Sequence, residues 1–360
     1  MKSLIIHIGP PKCGSSSIQQ FFQNNKSPCI QNIRFIKLNM QTINLLSEGN
    51  ESDSINFIHR IHKNIDLYDC LILSSEALFH NPKAIKYICK FASSKASKII
   101  IIGYSRRASK FMVSAYNQWW FRSPGKIKGN ENLILEYEIR PLHFLGAERH
   151  LIASILSDFT FPTSPIMDWI NSYDIIEKIV SPFNAVISVG TLPTRTSSVN
   201  LIQDFCNRAN LTLKNKCETI ELKSNPSFNS HLTESVNNAV EMGINMPNPH
   251  SENVFFHEFS KIFNTELYTD NEFFFTLKEY IDSYFYESNL ALCNKYNLDE
   301  RYFAVSKKYE KNEILEIIRS EDHLRDADNT LLKKYRKLSG IMAEACFHSY
   351  KTKNKDGHYE

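Results

Sequence analysis

The sequence predicts an α/β fold in which helices flank a parallel sheet and the C-terminal part is mainly helical. Four short aliphatic runs, at residues 4–8, 70–73, 98–102 and 185–189, lack the alternation of a half-solvated strand. Such runs are typical of buried parallel strands. Segments with helical spacing of apolar residues separate them, which indicates crossover connections between parallel strands.

The helical segments follow from apolar residues that recur every three or four positions. Between the strands these stripes are Ile18, Phe21 and Phe22, then Ile85, Ile88 and Phe91, then Phe111, Ala115 and Trp119; later ones are Leu232, Val236 and Val240, then Phe274, Leu277, Ile281 and Tyr284. We therefore predict an α/β core over residues 1–215, a helical region packing on it over residues 216–345, and a polar tail over residues 346–360.

Composition narrows the classes of partner. The chain has 360 residues, with 42 basic and 39 acidic side chains and a formal charge of +3, which is too balanced for a general nucleic-acid or membrane-surface binder. The eight cysteines include no C-x-x-C pair, so neither a zinc ribbon nor a disulfide framework is indicated. No apolar stretch is long enough for a signal sequence or a transmembrane segment. We expect a cytoplasmic protein that holds any anion locally.

A candidate phosphate loop follows the first predicted strand, where residues 7–17 read H-I-G-P-P-K-C-G-S-S-S before a helical pattern begins. Glycines let the backbone approach a phosphate, and the helix N-terminus directs N–H groups at it. Three serines add hydroxyl groups. The alternative is a turn that only caps a helix. The candidate binding residues are Pro11, Lys12, Cys13, Gly14, Ser15, Ser16 and Ser17.

The loop has the G-x-x-x-x-G spacing of a Walker A motif, and we therefore predict a P-loop-type sheet. Ser15 stands where an NTPase needs its lysine, however, and Lys12 lies inside the loop instead. A P-loop nucleotide kinase or NTPase, the main alternative, would also need an aspartate at a strand end, and Ser74 is in that approximate place. The position of Lys12 suits contact with an oxygen of a leaving or transferring group.

A second candidate anion contact follows the strand at residues 98–102. Arg106 and Ser114 are eight residues apart, at the start of a helical segment and about two turns into it. A guanidinium fork is well matched to a phosphate monoester. An arginine at a helix start that only faces water is the alternative reading.

These two segments, in this order, resemble the PAPS-dependent sulfotransferases of the bacterial carbohydrate-type branch, where PAPS is 3′-phosphoadenosine 5′-phosphosulfate. Residues 7–18 are similar to the family's 5′-phosphosulfate loop, H-I-G-x-P-K-T-G-T-T-S-I, and residues 104–118 resemble its 3′-phosphate element. Cys13 and the first two serines replace threonines of that pattern. Fainter similarity extends through residues 184–211, 225–227 and 288–296.

The resemblance implies that Lys12, Gly14 and the three serines hold the 5′-phosphosulfate, while Arg106 and Ser114 hold the 3′-phosphate. It also implies sulfuryl transfer from PAPS to a hydroxyl of a carbohydrate or glycolipid, with 3′,5′-adenosine diphosphate as product. We expect no metal, because the sulfuryl group is singly charged and lacks the dense negative charge that magnesium offsets in kinases. A non-catalytic nucleotide-binding protein is the second alternative.

Glu76 is the candidate general base. It follows the strand at residues 70–73 as part of Ser-Ser-Glu, at the edge of the sheet where ligands of open α/β sheets bind. In the family a histidine or glutamate at the corresponding strand end is usual. A carboxylate that only caps a turn is the alternative for Glu76, and four other side chains compete for the role: His80, His143, Glu148 and His150.

Overall fold

A computed structural model describes residues 2–24, 28–49, 51–159, 167–193, 199–214, 228–246, 253–262, 266–326 and 329–356. The chain forms two compact units, each assembled from three separate segments. The predicted boundary at residue 215 lies outside the described residues. The first unit comprises Met1–Arg107, Asp168–Pro226 and Glu287–Phe303; the second comprises Ala108–Met167, Ser227–Tyr286 and Ala304–Glu360.

The first unit contains a five-stranded parallel sheet, which confirms the predicted α/β class. The strand order within the described residues is β2-β3-β1-β4-β5, and every neighbouring pair is parallel. Each of the four predicted runs is a strand. The strands are β1 (Ser3–Gly9), β2 (Ile33–Lys37), β3 (Cys70–Ser74), β4 (Lys98–Ser105) and β5 (Ala185–Thr191).

Strand β2 was absent from the prediction, and its place in the sheet explains why. It lies at an edge and pairs only with β3, so Arg34 and Lys37 remain exposed while Ile36 is buried. An edge strand keeps solvent contact and does not need a continuous apolar run. No continuous apolar run therefore marks β2 in the sequence.

Helices flank the sheet and make up the C-terminal part, as predicted. The stripe at Ile18, Phe21 and Phe22 lies on the buried face of the first helix. The helix over Phe111 ends at Tyr116, so Trp119 lies beyond it. The helices are α1 (Ser15–Asn24), α2 (Met40–Glu48), α3 (Glu51–Leu67), α4 (Pro82–Ala92), α5 (Ala108–Tyr116), α6 (Pro124–Glu136), α7 (Gly146–Leu156), α8 (Trp169–Val180), α9 (Leu201–Arg208), α10 (Ser230–Glu241), α11 (Asn253–Ser260), α12 (Glu272–Tyr284), α13 (Tyr286–Tyr296), α14 (Lys311–Arg325) and α15 (Asn329–Asp356).

Two groups of helices cover the sheet of the first unit. Helix α1 packs on α9, where the rings of Phe22 and Phe205 lie 5.5 Å apart. Helix α4 packs on α8, and the Phe79 ring meets the Tyr173 ring of α8 at 5.6 Å. Right-handed crossovers leaving β1 and β3 in opposite directions place α1 and α4 on opposite faces.

The second unit is helical and has charged groups in its interior. Arg149 of α7 is only 2% exposed; it donates to Glu131 Oε1 at 2.7 Å, to Asn237 Oδ1 at 2.7 Å and also to Glu241. These contacts tie α7 to α6 and α10. A buried guanidinium is tolerated because several acceptors satisfy it at once.

In the ranges that the structure describes, no helix combines the length and the apolar character needed to cross a bilayer.

Candidate active site

The candidate site lies at the carboxyl edge of the sheet, between β1 and β4. These strands are neighbours, but β1 continues toward β2 on one side and β4 continues toward β5 on the other. The connections therefore diverge, and such a switch point opens a crevice in which α/β proteins bind ligands. The loop at residues 10–14 and Arg106 follow the two strands that border this crevice.

The backbone favours glycine at both ends of the loop at residues 10–14, at the residue before it and at its last residue. Gly9 has φ +88° and Gly14 has φ +86°, both in the left-handed region. A Cβ on Gly9 would lie 3.0 Å from the Cα of Glu76, so the missing side chain lets the loop contact the start of the turn that carries this carboxylate. Lys12 also has a positive φ, +65°, which costs a non-glycine residue about 1–2 kcal/mol. Such strain persists only where neighbouring contacts hold the backbone.

Three side chains hold the loop and the backbone at Arg106, the start of the second candidate anion contact. Arg106 donates from Nη1 to the carbonyl oxygen of Lys12 at 2.9 Å, and Ser15 donates from Oγ to the carbonyl oxygen of Pro10 at 3.2 Å. Trp169 donates from Nε1 to the carbonyl oxygen of Arg106 at 2.8 Å. The two sequence motifs predicted to bind one ligand are thus joined directly by a hydrogen bond between Arg106 and Lys12.

The role of Trp169 was not predicted. It lies 63 residues from Arg106 along the chain. An isolated tryptophan is not part of a sequence motif, so the sequence does not indicate its contact with Arg106.

The loop leads directly into α1. The N–H groups of Ser17 and Ile18 bond to the carbonyl oxygen of Gly14 and begin the helical pattern. Ser15 is buried, whereas Ser16 and Ser17 are half-buried at the first turn. The first turn of a helix presents N–H groups and partial positive charge, so this end of α1 favours an anion.

Lys12 and Glu76 form the charged pair of the site. Burial lowers the pKa of Lys12 to about 8; the charge of Glu76 acts against this shift and that of Arg106 adds to it. Burial raises the pKa of Glu76, and the charges of Lys12 and Lys37 oppose that rise. The Lys12 amine therefore loses its proton only a little above neutral pH, and the Glu76 carboxylate is partly desolvated. Acid–base catalysis requires groups with pKa values shifted in this way.

Two further titratable groups near the loop are neutral. Cys13 is fully buried, and burial raises the pKa of its thiol to about 12, so its side chain offers no anion contact. His7 is also buried, and burial lowers its pKa to about 3. Its Nδ1 lies 2.8 Å from Ser74 Oγ, so this histidine is a buried residue with a hydrogen-bond partner.

The remaining predicted residues belong to several elements of the two units. Ser114 is buried in α5 of the second unit, whereas Arg106 belongs to the first. Among the competitors for the base, only His80 shares a turn with Glu76, and its side chain is exposed. His143 and Glu148 belong to the second unit and pair there with Asp322 and Arg325; His150 is buried in α7. Residues 225–227 lie outside the described residues.

Comparison of the chain with protein-family models, curated proteins and solved structures found no match.

Proposed function

We propose that the protein is a sulfotransferase with a P-loop-type sheet, which transfers the sulfuryl group of PAPS to a hydroxyl of a carbohydrate or glycolipid. The hydrogen bond from Arg106 to the carbonyl oxygen of Lys12 carries the proposal. It brings together two motifs that 94 residues of chain separate, at the crevice where the sheet connections diverge. A guanidinium has five N–H donors, so four remain after this bond for a phosphate.

The donor set fits a nucleotide with two anionic groups. Lys12, the first turn of α1 and the hydroxyls of Ser16 and Ser17 suit the 5′-phosphosulfate, and Arg106 suits the 3′-phosphate. Ser15 has a different role in this proposal: its hydroxyl donates a hydrogen bond to the carbonyl oxygen of Pro10, and this bond supports the loop. Backbone groups would supply the contacts of Cys13, whose side chain is buried.

The chemistry follows from the Lys12–Glu76 pair. PAPS supplies an activated sulfuryl group whose bond to the phosphate oxygen breaks as the acceptor oxygen bonds to sulfur. Glu76 accepts the proton of the acceptor hydroxyl, and the Lys12 ammonium donates a hydrogen bond to the phosphate oxygen as negative charge develops on it. The low pKa of Lys12, about 8, makes it a better hydrogen-bond acid than an ordinary lysine.

Nucleotide binding is the first test. Calorimetric titration with 3′,5′-adenosine diphosphate should give saturable binding, and Arg106→Ala should weaken it about 10- to 100-fold, the usual loss for a charge-assisted hydrogen bond. Arg107→Ala removes the same charge one residue away and serves as the matched control. Binding of magnesium-ATP in preference to the diphosphate, or equal losses in the two variants, would contradict the proposal.

Turnover is the second test. Labelled PAPS is offered with glycan, glycolipid and phenolic acceptors, and transfer is measured for the wild type, Lys12→Ala and Glu76→Ala. The Lys12→Ala variant should keep nucleotide affinity within about tenfold and lose most turnover, since the lysine acts mainly in the transition state. Unchanged turnover in this variant would overturn the assignment.

A further inference from the structure

The second unit contains a cleft that the proposed reaction does not use. Its volume is about 680 Å³, within the range of about 300–1,000 Å³ typical of small-molecule sites. Its apolar lining includes Ile127 and Leu135 of α6, together with Leu142 and Val240. Lys333 of α15 and Lys128 of α6 also line it.

The apolar lining is open to solvent. Leu135 is 56% exposed and Leu142 is 46% exposed, although both are large aliphatic side chains. Ile127 behind them is buried. Exposed leucines around a concave surface leave apolar area that an apolar ligand would remove from water, at about 25 cal/mol for each Å².

The acidic residues of the cleft are already neutralised. Glu131 and Glu241 both accept hydrogen bonds from the buried guanidinium of Arg149, and the charge of the buried Arg336 also acts on both carboxylates. Their charges therefore offer little to a cationic ligand.

Two further residues of the cleft, Arg140 and His143, pair with carboxylates at the C-terminal end of α14. Arg140 pairs with Asp322 at 3.2 Å and with Asp326 at 2.7 Å. His143 Nδ1 lies 2.7 Å from Asp322 Oδ1. These pairs connect the turn at residues 140–143 to the C-terminal end of α14.

The charge that remains is positive. Lys128 and Lys333 are exposed and have no ion-pair partner among the described residues. We propose that this cleft binds a small amphipathic anion, with an acidic head group at the two lysines and an apolar body against Leu135, Leu142 and Val240. Charge complementarity at the lysines and the exposed apolar wall select this class over a cation or a fully polar ligand.

The test uses the full-length protein and 11-(dansylamino)undecanoic acid, whose fluorescence rises in apolar surroundings. Its methyl ester has the same body without the charge. The acid should bind at least tenfold more tightly than the ester, and the double variant Lys128→Ala/Lys333→Ala should remove that preference while binding the ester as before. The matched control, Lys334→Ala/Lys337→Ala, removes two exposed lysines of α15 that do not line the cleft; it should bind like the wild type.

Two further measurements complete the test. Leu142→Ser should weaken acid and ester alike, because it acts on the apolar wall. Anilinonaphthalene sulfonate, titrated in parallel, distinguishes an aromatic body from an acyl chain. Equal affinity of the wild type for acid and ester, or unchanged acid binding by Lys128→Ala/Lys333→Ala, would overturn the proposal. None of these outcomes depends on sulfuryl transfer.

Discussion

The protonation of Lys12 provides a direct test of the electrostatics at the candidate site. With a pKa of about 8, roughly nine in ten Lys12 side chains are charged at pH 7 and roughly one in ten at pH 9. The neighbouring charges act with opposite signs, since Glu76 raises this pKa and Arg106 lowers it. Glu76→Gln should therefore lower the pKa of Lys12 further, and Arg106→Gln should raise it, each by several tenths of a unit or more.

The assay needs neither acceptor nor activity. Trace labelling with acetic anhydride across pH 6–11, followed by mass spectrometry of the Lys12 peptide, gives the fraction of unprotonated amine. A synthetic lysine peptide of known pKa in the same tube corrects for reagent loss. A wild-type midpoint above pH 10, or shifts of the same sign in the two variants, would refute the reasoning about this charged pair.

Two further predictions concern stability. Gly14→Ala should lower the melting temperature more than Gly49→Ala: both have positive φ, but a Cβ at Gly14 would lie 2.4 Å from Leu201 Cδ2, whereas Gly49 has open space around it. Equal losses in calorimetry would contradict the steric argument. Burial raises the pKa of Glu234 to about 7 from 4.5, so the folded state holds this proton more tightly and the resulting stabilisation, full below pH 4.5, disappears as pH rises through 7. The unfolding free energy of the wild type, relative to Glu234→Gln, should therefore fall by about 3 kcal/mol between pH 4.5 and pH 8 in urea titrations; parallel pH profiles would contradict this.

Local sequence signals predicted the strands that carry a largely aliphatic run, including β5, an edge strand in which Val186 is 56% exposed. The run over β1 lies between β3 and β4, so residues 4–6 are aliphatic and fully buried, while the buried His7 has Ser74 of β3 as its hydrogen-bond partner. The loop after it could be recognised because glycine spacing and a helix start are local features. Strand β2 could not be recognised by the same signal, since its edge position allows Arg34 and Lys37 to remain in water.

The contacts that organise the site join residues far apart in the sequence, so local signals did not predict them. Trp169 contacts Arg106 through a single indole N–H, and the bond from Arg106 to Lys12 spans 94 residues. Long-range pairs of this sort depend on tertiary packing, and the spacing of apolar residues in the sequence does not predict them. The same holds for Arg149, which looks like a surface residue in the sequence and lies buried among acidic partners of α6 and α10.

The division of the chain has a consequence for how the protein is made. The polypeptide crosses between the two units five times, after residues 107, 167, 226, 286 and 303. Ser288 and Asp168 both belong to the first unit, and the Ser288 hydroxyl donates to Asp168 Oδ1 at 2.6 Å. Ser288 is synthesised only after most of the second unit. Large chains usually fold domain by domain during synthesis. The first unit, which we propose binds the nucleotide, cannot complete its fold in this way until most of the second unit has been synthesised. Neither half can be removed by a single cut, and a stop codon before residue 287 would leave both incomplete.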